Sequence, residues 1–172
     1  TGTSFNLGDT SFGYVNVGSE NKIESKISNV NLGNDSVYIY SNDTKGVIKN
    51  KTNIKSTGTK GENYGIYAAG DIENEGHMDL TTGIGNVGIY SVNGGKAQNT
   101  GTISIGESDA ANSVFSVGMA AGYIGDSKVP ATTGNITNAG TINVNGKYSI
   151  GMYGAKTGTV VTNDKNIILN AD

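Results

Sequence analysis

Cysteine and arginine are absent from the 172 residues, and proline and histidine occur once each. Without cysteine there is no disulfide, no thiolate nucleophile and no cysteine-based zinc site. Without arginine all twelve basic residues are lysines, so bidentate clamps on carboxylate or phosphate are unavailable within the chain. The net charge is only −3 and the lysines are scattered, which excludes the clustered basic surface that a nucleic-acid partner needs. No apolar run approaches the ~20 residues of a membrane helix, and no charged-then-apolar signal segment begins at Thr1. A single proline against 27 glycines reads as frequent tight corners, neither collagen-like nor a proline-rich linker. With 35 % apolar residues the chain fills one thin core.

What the sequence does have is repetition. The stretch ITNAGTINV, residues 136–144, returns as IENEGHMDL around Asn74, AQNTGTISI around Asn99 and VTNDKNIIL around Asn163. Looser copies are IKNKTNIKS around Asn50 and ISNVN around Asn29. Asn29, Asn50, Asn74, Asn99, Asn138 and Asn163 therefore mark six units, spaced by subtraction at 21, 24, 25, 39 and 25 residues. Periods of that size belong to solenoids. A second anchor opens each unit: Phe12-Gly13-Tyr14-Val15, Val37-Tyr38-Ile39-Tyr40, Tyr64-Gly65-Ile66-Tyr67, Val87-Gly88-Ile89-Tyr90, Val117-Gly118-Met119-Ala120 and Ile150-Gly151-Met152-Tyr153. The units run approximately over 11–36, 37–63, 64–86, 87–116, 117–149 and 150–172, within one β-helix segment. NIILNAD stops in mid-pattern, so the segment is expected to belong to a longer chain.

Both anchors alternate at period 2 and are rich in β-branched residues, so each reads as a short strand. Two strands per turn with Gly, Asn, Ser and Thr corners predict an all-β fold, a right-handed parallel β-helix of about six turns. Alternation sends Ile72, Asn74, Met78 and Leu80 inward, and with them an asparagine ladder whose amides satisfy one another at the ~4.8 Å strand spacing. In the other anchor it sends Val87 and Ile89 inward and Tyr90 outward beside Gly88. Tyr40, Tyr67, Tyr90 and Tyr153 then form an outer column, interrupted at Ala120. Extra length falls at 106–116 and 122–134; these are surface loops, and Tyr123, Asp126 and Lys128 form the candidate binding loop.

Several patterns have plainer readings than their motifs suggest. Gly83-Ile84-Gly85-Asn86-Val87-Gly88 matches the dinucleotide-binding glycine pattern, yet a repeat strand follows where that motif requires a helix. Asp71, Glu73 and Glu75 resemble a catalytic carboxylate cluster. Aligning the units, however, sets Lys96, Lys49 and Lys51 beside them, which reads as cross-strand pairing. His77 has no second histidine or cysteine near it in sequence and reads as a surface residue. Asp43, Asp109 and Asp126 sit in polar turns, without the calcium-binding nonapeptide. No catalytic, cofactor or metal residue is assigned. The tyrosine column reads first as a stacking ladder and second as a face that stacks on sugars or anchors a partner.

NITNAGTINVNGKYSIGMYG, NYGIYAAGDIENEGHMDL and NVGIYSVNGGKAQNTGTISI closely resemble the passenger repeats of large type V autotransporter adhesins of the fusobacterial type. The resemblance covers the chain from about Ser11. It implies a β-helical passenger on the extracellular side of a bacterial outer membrane, held there by a barrel outside this chain. It also implies adhesion to host cells or other bacteria through a surface receptor or glycan, without catalysis or cofactor. The alternative is a polysaccharide-degrading β-helix enzyme, a lyase or hydrolase, against which the missing arginine counts.

Overall fold

The computed structural model describes residues 4–170, and they form a parallel β-solenoid of about seven coils with no helix among them. Each coil carries three strands where two were expected. In one coil these are Tyr64–Ala68, Asp71–Asn74 and His77–Leu80. Their counterparts stack in parallel into a six-stranded tyrosine sheet, a six-stranded asparagine sheet and a seven-stranded third sheet that Ser4–Leu7 extends.

The additional strand arises because the asparagine repeat bends in its middle. Asn74 donates from Nδ2 to the Gly76 carbonyl at 3.1 Å, closing a corner between Asn74 and His77. A Cβ at Gly76 would lie 2.2 Å from the Thr52 carbonyl oxygen, so the coils approach there as only glycine permits. Periodicity alone reads across this corner, because the residues on both sides keep the same inward phase.

Three apolar columns fill the core. Ile48, Ile72, Ala97 and Ile136 come from the asparagine sheet. The third sheet supplies Val30, Ile54, Met78, Ile103 and Ile142, and the tyrosine sheet supplies Ile39, Ile66, Ile89 and Met119. Identical or similar side chains thus repeat one strand spacing apart, each covered by its neighbours above and below.

Strict alternation fails in the tyrosine sheet. Val87 packs outside with Tyr64, Tyr90, Val117, Ala120 and Ile150, whereas the inward expectation had placed it in the core. Gly88 faces in: a Cβ there would meet the Gly118 carbonyl oxygen at 2.5 Å and Ile103 Cγ2 at 2.8 Å. Gly88 and Ile89 therefore both face the interior, and the first residue of the strand turns out. At the equivalent place in an earlier coil stands Tyr38, 1 % exposed, its ring edge-on to Tyr14 at 5.6 Å.

Candidate functional site

The asparagine column is continuous from Asn50 onward. Asn50 donates to Asn74 at 2.8 Å, Asn74 to Asn99 at 2.8 Å, Asn99 to Asn138 at 2.9 Å and Asn138 to Asn163 at 2.9 Å. Each Nδ2 also reaches the carbonyl two residues further on, from Thr52 to Lys165, so the amides are doubly employed. The 39-residue interval closes as well as the others because both insertions leave the coil between Asn99 and Asn138.

Asn29 is not in this column. It lies on the third sheet opposite Asn53, whose Nδ2 donates to its Oδ1 at 3.4 Å. The register partner of Asn50 is Ser25, 25 residues earlier. The physical reason is Tyr38: its inward ring needs the volume an asparagine would take, and its hydroxyl hydrogen-bonds Ser25 Oγ and Thr52 Oγ1. A second internal set escaped the sequence reading. Ser36 N–H donates to Asn63 Oδ1, Asn63 N–H to Asn86 Oδ1 and Asn86 N–H to Ser116 Oγ. A Ser or Asn directly before every tyrosine-type strand was the available signal.

Outside, Tyr40, Tyr67 and Tyr90 stand in register, followed by Ala120 and then Tyr153. Tyr40 stacks on Tyr67 with ring centres 5.8 Å apart, and Tyr67 meets Tyr90 edge-on at 5.1 Å. Tyr64 joins them, stacked on Tyr90 at 6.3 Å. Sequence reasoning missed it because period 2 pointed the first strand residue inward.

The 122–134 loop folds over this face. Tyr123 and Thr132 exchange backbone hydrogen bonds at 2.8 and 2.9 Å as a short antiparallel bridge. Tyr90 donates its hydroxyl to the Gly122 carbonyl at 2.8 Å. Together the loop and column enclose a groove of about 400 Å³ lined by Tyr40, Tyr64, Tyr67, Tyr90 and Tyr123, along with Asn42, Val92, Asn93, Val129 and Thr132. No charged side chain lines it.

The candidate loop residues have separate roles. Tyr123 lines the groove and donates to Asp126, which also accepts the Lys128 and Val129 N–H groups at 2.7 and 2.8 Å. Those bonds hold the Asp126 carboxyl below its ordinary range, and the Tyr123 phenol rises in response to the carboxylate. Asp126 is thus a brace for Tyr123. Lys128 contributes its backbone N–H to that brace and is not part of the groove lining. Burial pushes the Tyr90 phenol up to about 12 and raises Tyr64 and Tyr67 as well, so these three rings are neutral at physiological pH.

On the far side of Tyr90 the missing ring at Ala120 leaves a second depression, of about 360 Å³, walled by Val87, Val117, Ile150 and Tyr153 and flanked by Phe115 from the 106–116 loop. The two insertions, separated in sequence by the strand Val117–Ala121, therefore bracket one sheet face.

The carboxylates lie elsewhere. Lys49 meets Glu73 at 2.8 Å and Lys51 meets Glu75 at 3.3 Å on the asparagine sheet. Asp71 is the register partner of Lys96. Gly83 and Gly85, both at positive φ, turn the chain into the strand Val87–Ser91, so the glycine pattern makes a corner. His77 is exposed. Among the described residues no three Asp, Glu or His side chains converge as an ion site.

No curated protein and no solved structure matches the chain. A family model described as the BigA third pectate lyase-like domain matches residues 80–172, the part that carries both insertions. It agrees with the resemblance to β-helical passenger repeats, and with more than half of its length matched, the chain belongs to the BigA third pectate lyase-like domain family.

Proposed function

We propose that the chain is a β-helical passenger segment of a bacterial surface adhesin, exposed on the extracellular side of the outer membrane, and that its tyrosine groove binds a neutral glycan. BigA is a bacterial autotransporter-like adhesin, which supports the surface placement. The observation that carries the binding reading is the groove itself. Five tyrosines face a space without charge, edged by amides and hydroxyls, on a solenoid whose other two sheets present regular polar rows. Aromatic faces pack against the C–H faces of sugar rings, and the exposed Asn42 and Asn93 amides hydrogen-bond their hydroxyls. Attachment to the membrane falls to a barrel outside this chain.

A glycan array and a bacterial coaggregation assay, run with the 172-residue chain and its Tyr67→Ala variant, test this. Saturable binding of uncharged glycans, lost in the variant, is the expected result. Absence of glycan binding and coaggregation overturns the groove reading. New reducing ends or unsaturated products from polysaccharides, with or without calcium, overturn the non-catalytic reading in favour of an enzyme.

A further inference from the structure

The break in the tyrosine column is a site of its own. Ala120 stands where Tyr90 precedes and Tyr153 follows in register, so the rings on either side are two strand spacings apart, about 9.6 Å. One flat ring placed midway would lie ~4.8 Å from each, within the 4.5 to 7 Å range of aromatic pairs. Between the two tyrosines the walls are apolar but for Ser113: Val87, Val117, Ala120, Ile150 and Phe115, the last 39 % exposed. The Tyr90 hydroxyl is already engaged by Gly122, which leaves little to satisfy the hydroxyls of a sugar.

A second depression continues from this slot past Val87, Ser113 and Phe115 to Gly85 and Glu62, with a volume of about 460 Å³. Its far end is acidic on balance. Lys60 is shared by Asp35 at 3.0 Å and Glu62 at 3.4 Å, two carboxylates against one ammonium. We infer that the Ala120 slot is a docking point for a polypeptide partner, which inserts one Trp, Tyr or Phe ring between Tyr90 and Tyr153 and lays a neighbouring basic residue toward Glu62. The missing ring sets the shape of the anchor, and the excess carboxylate sets the charge beside it. The slot lies across Tyr90 from the glycan groove and shares that ring with it, but its occupant is argued from Ala120 and Glu62 alone and stands if the glycan reading fails.

The chain contains no tryptophan, so the fluorescence of a tryptophan probe reports the probe alone. N-acetyl-tryptophanamide and the blocked dipeptides Trp-Lys and Trp-Glu would be titrated against the intact 172-residue chain. Expected is a saturable blue shift at millimolar probe, with Trp-Lys tighter than Trp-Glu at low salt. Ala120→Tyr, which completes the column, should weaken all three at least tenfold, while Glu73→Gln, on another sheet and in neither lining, leaves them unchanged. Unaltered binding in Ala120→Tyr, or displacement by a methyl glycoside, overturns the slot. Equal affinity for the two dipeptides overturns the polypeptide assignment. If Ala120→Tyr does not fold, Phe115→Ser substitutes for it: weakened binding supports the slot, and unchanged binding overturns it.

Discussion

One column of like side chains climbs the inside of the solenoid and another climbs the outside, and they answer differently to a missing member. The asparagines from Asn50 to Asn163 continue through a 39-residue interval without a gap. The tyrosines lose a ring at Ala120 and the coil geometry carries on unchanged, with Ala120 still in register between Tyr90 and Tyr153. A buried amide left without its neighbour keeps its full desolvation penalty, whereas an outer ring left without its neighbour meets water. Inside, a departure needs a compensating partner, as Tyr38 supplies beside Ser25; outside, Ala120 needs none.

The hardest blow to that contrast would be Asn74→Ala, which removes one of the two acceptors of Asn50 Nδ2 and the donor to Asn99 Oδ1 within the core. A loss of about 2–4 kcal/mol is expected from urea denaturation, and a loss equal to that of an outer tyrosine would erase the distinction. Next is Tyr38→Phe, which leaves the buried hydroxyls of Ser25 and Thr52 short of a partner and should cost about 1–3 kcal/mol. The paired change Ser25→Asn with Tyr38→Gly rebuilds the pattern of the other coils, so it should be more stable than Ser25→Asn alone, measured in the same way.

Tyr67→Ala removes a half-buried ring and its three aromatic contacts, with Tyr40, Tyr64 and Tyr90, worth about 1.5–2 kcal/mol in all, yet it should abolish glycan binding. Alkaline titration sharpens the outer column further. The Tyr90 phenol is raised above its ordinary value, so its stabilising contribution is complete below pH ~10 and is lost as pH rises through about 12. Phenolate absorbance should show a late-titrating step that Tyr90→Phe removes. Smallest of all is Glu73→Gln, since the Lys49 and Glu73 side chains are 47 % and 36 % exposed; no resolvable change in the denaturation midpoint is expected.

Both columns were legible in the sequence because identical residues at near-constant spacing leave few other arrangements. Asn74, Asn99, Asn138 and Asn163 could be placed by counting. Asn29 could not, because the coil that holds Ser25 had exchanged its ladder residue for room around Tyr38, and that exchange is visible only when two coils are seen side by side. The third strand of each coil was hidden by the Asn74 corner, where a side-chain hydrogen bond turns the chain without altering hydrophobic phase. Tyr123 was found as a loop residue, but its meeting with Tyr40, Tyr67 and Tyr90 depends on how the 122–134 segment folds back, for which Asp126 supplies the brace and local pattern supplies no sign.

The asparagine amides also have a direction. From Asn50 to Asn138 every Nδ2 gives to the Oδ1 of the following coil, ending on Asn163, and none gives backward, so the side-chain dipoles lie head to tail along the axis. Such an array polarises itself, each bond strengthening the next. The fold thereby has a built-in sense of travel: duplicating a whole coil of about 25 residues preserves the arrow, and the solenoid can lengthen by whole coils while this part of its interior remains one uninterrupted wire.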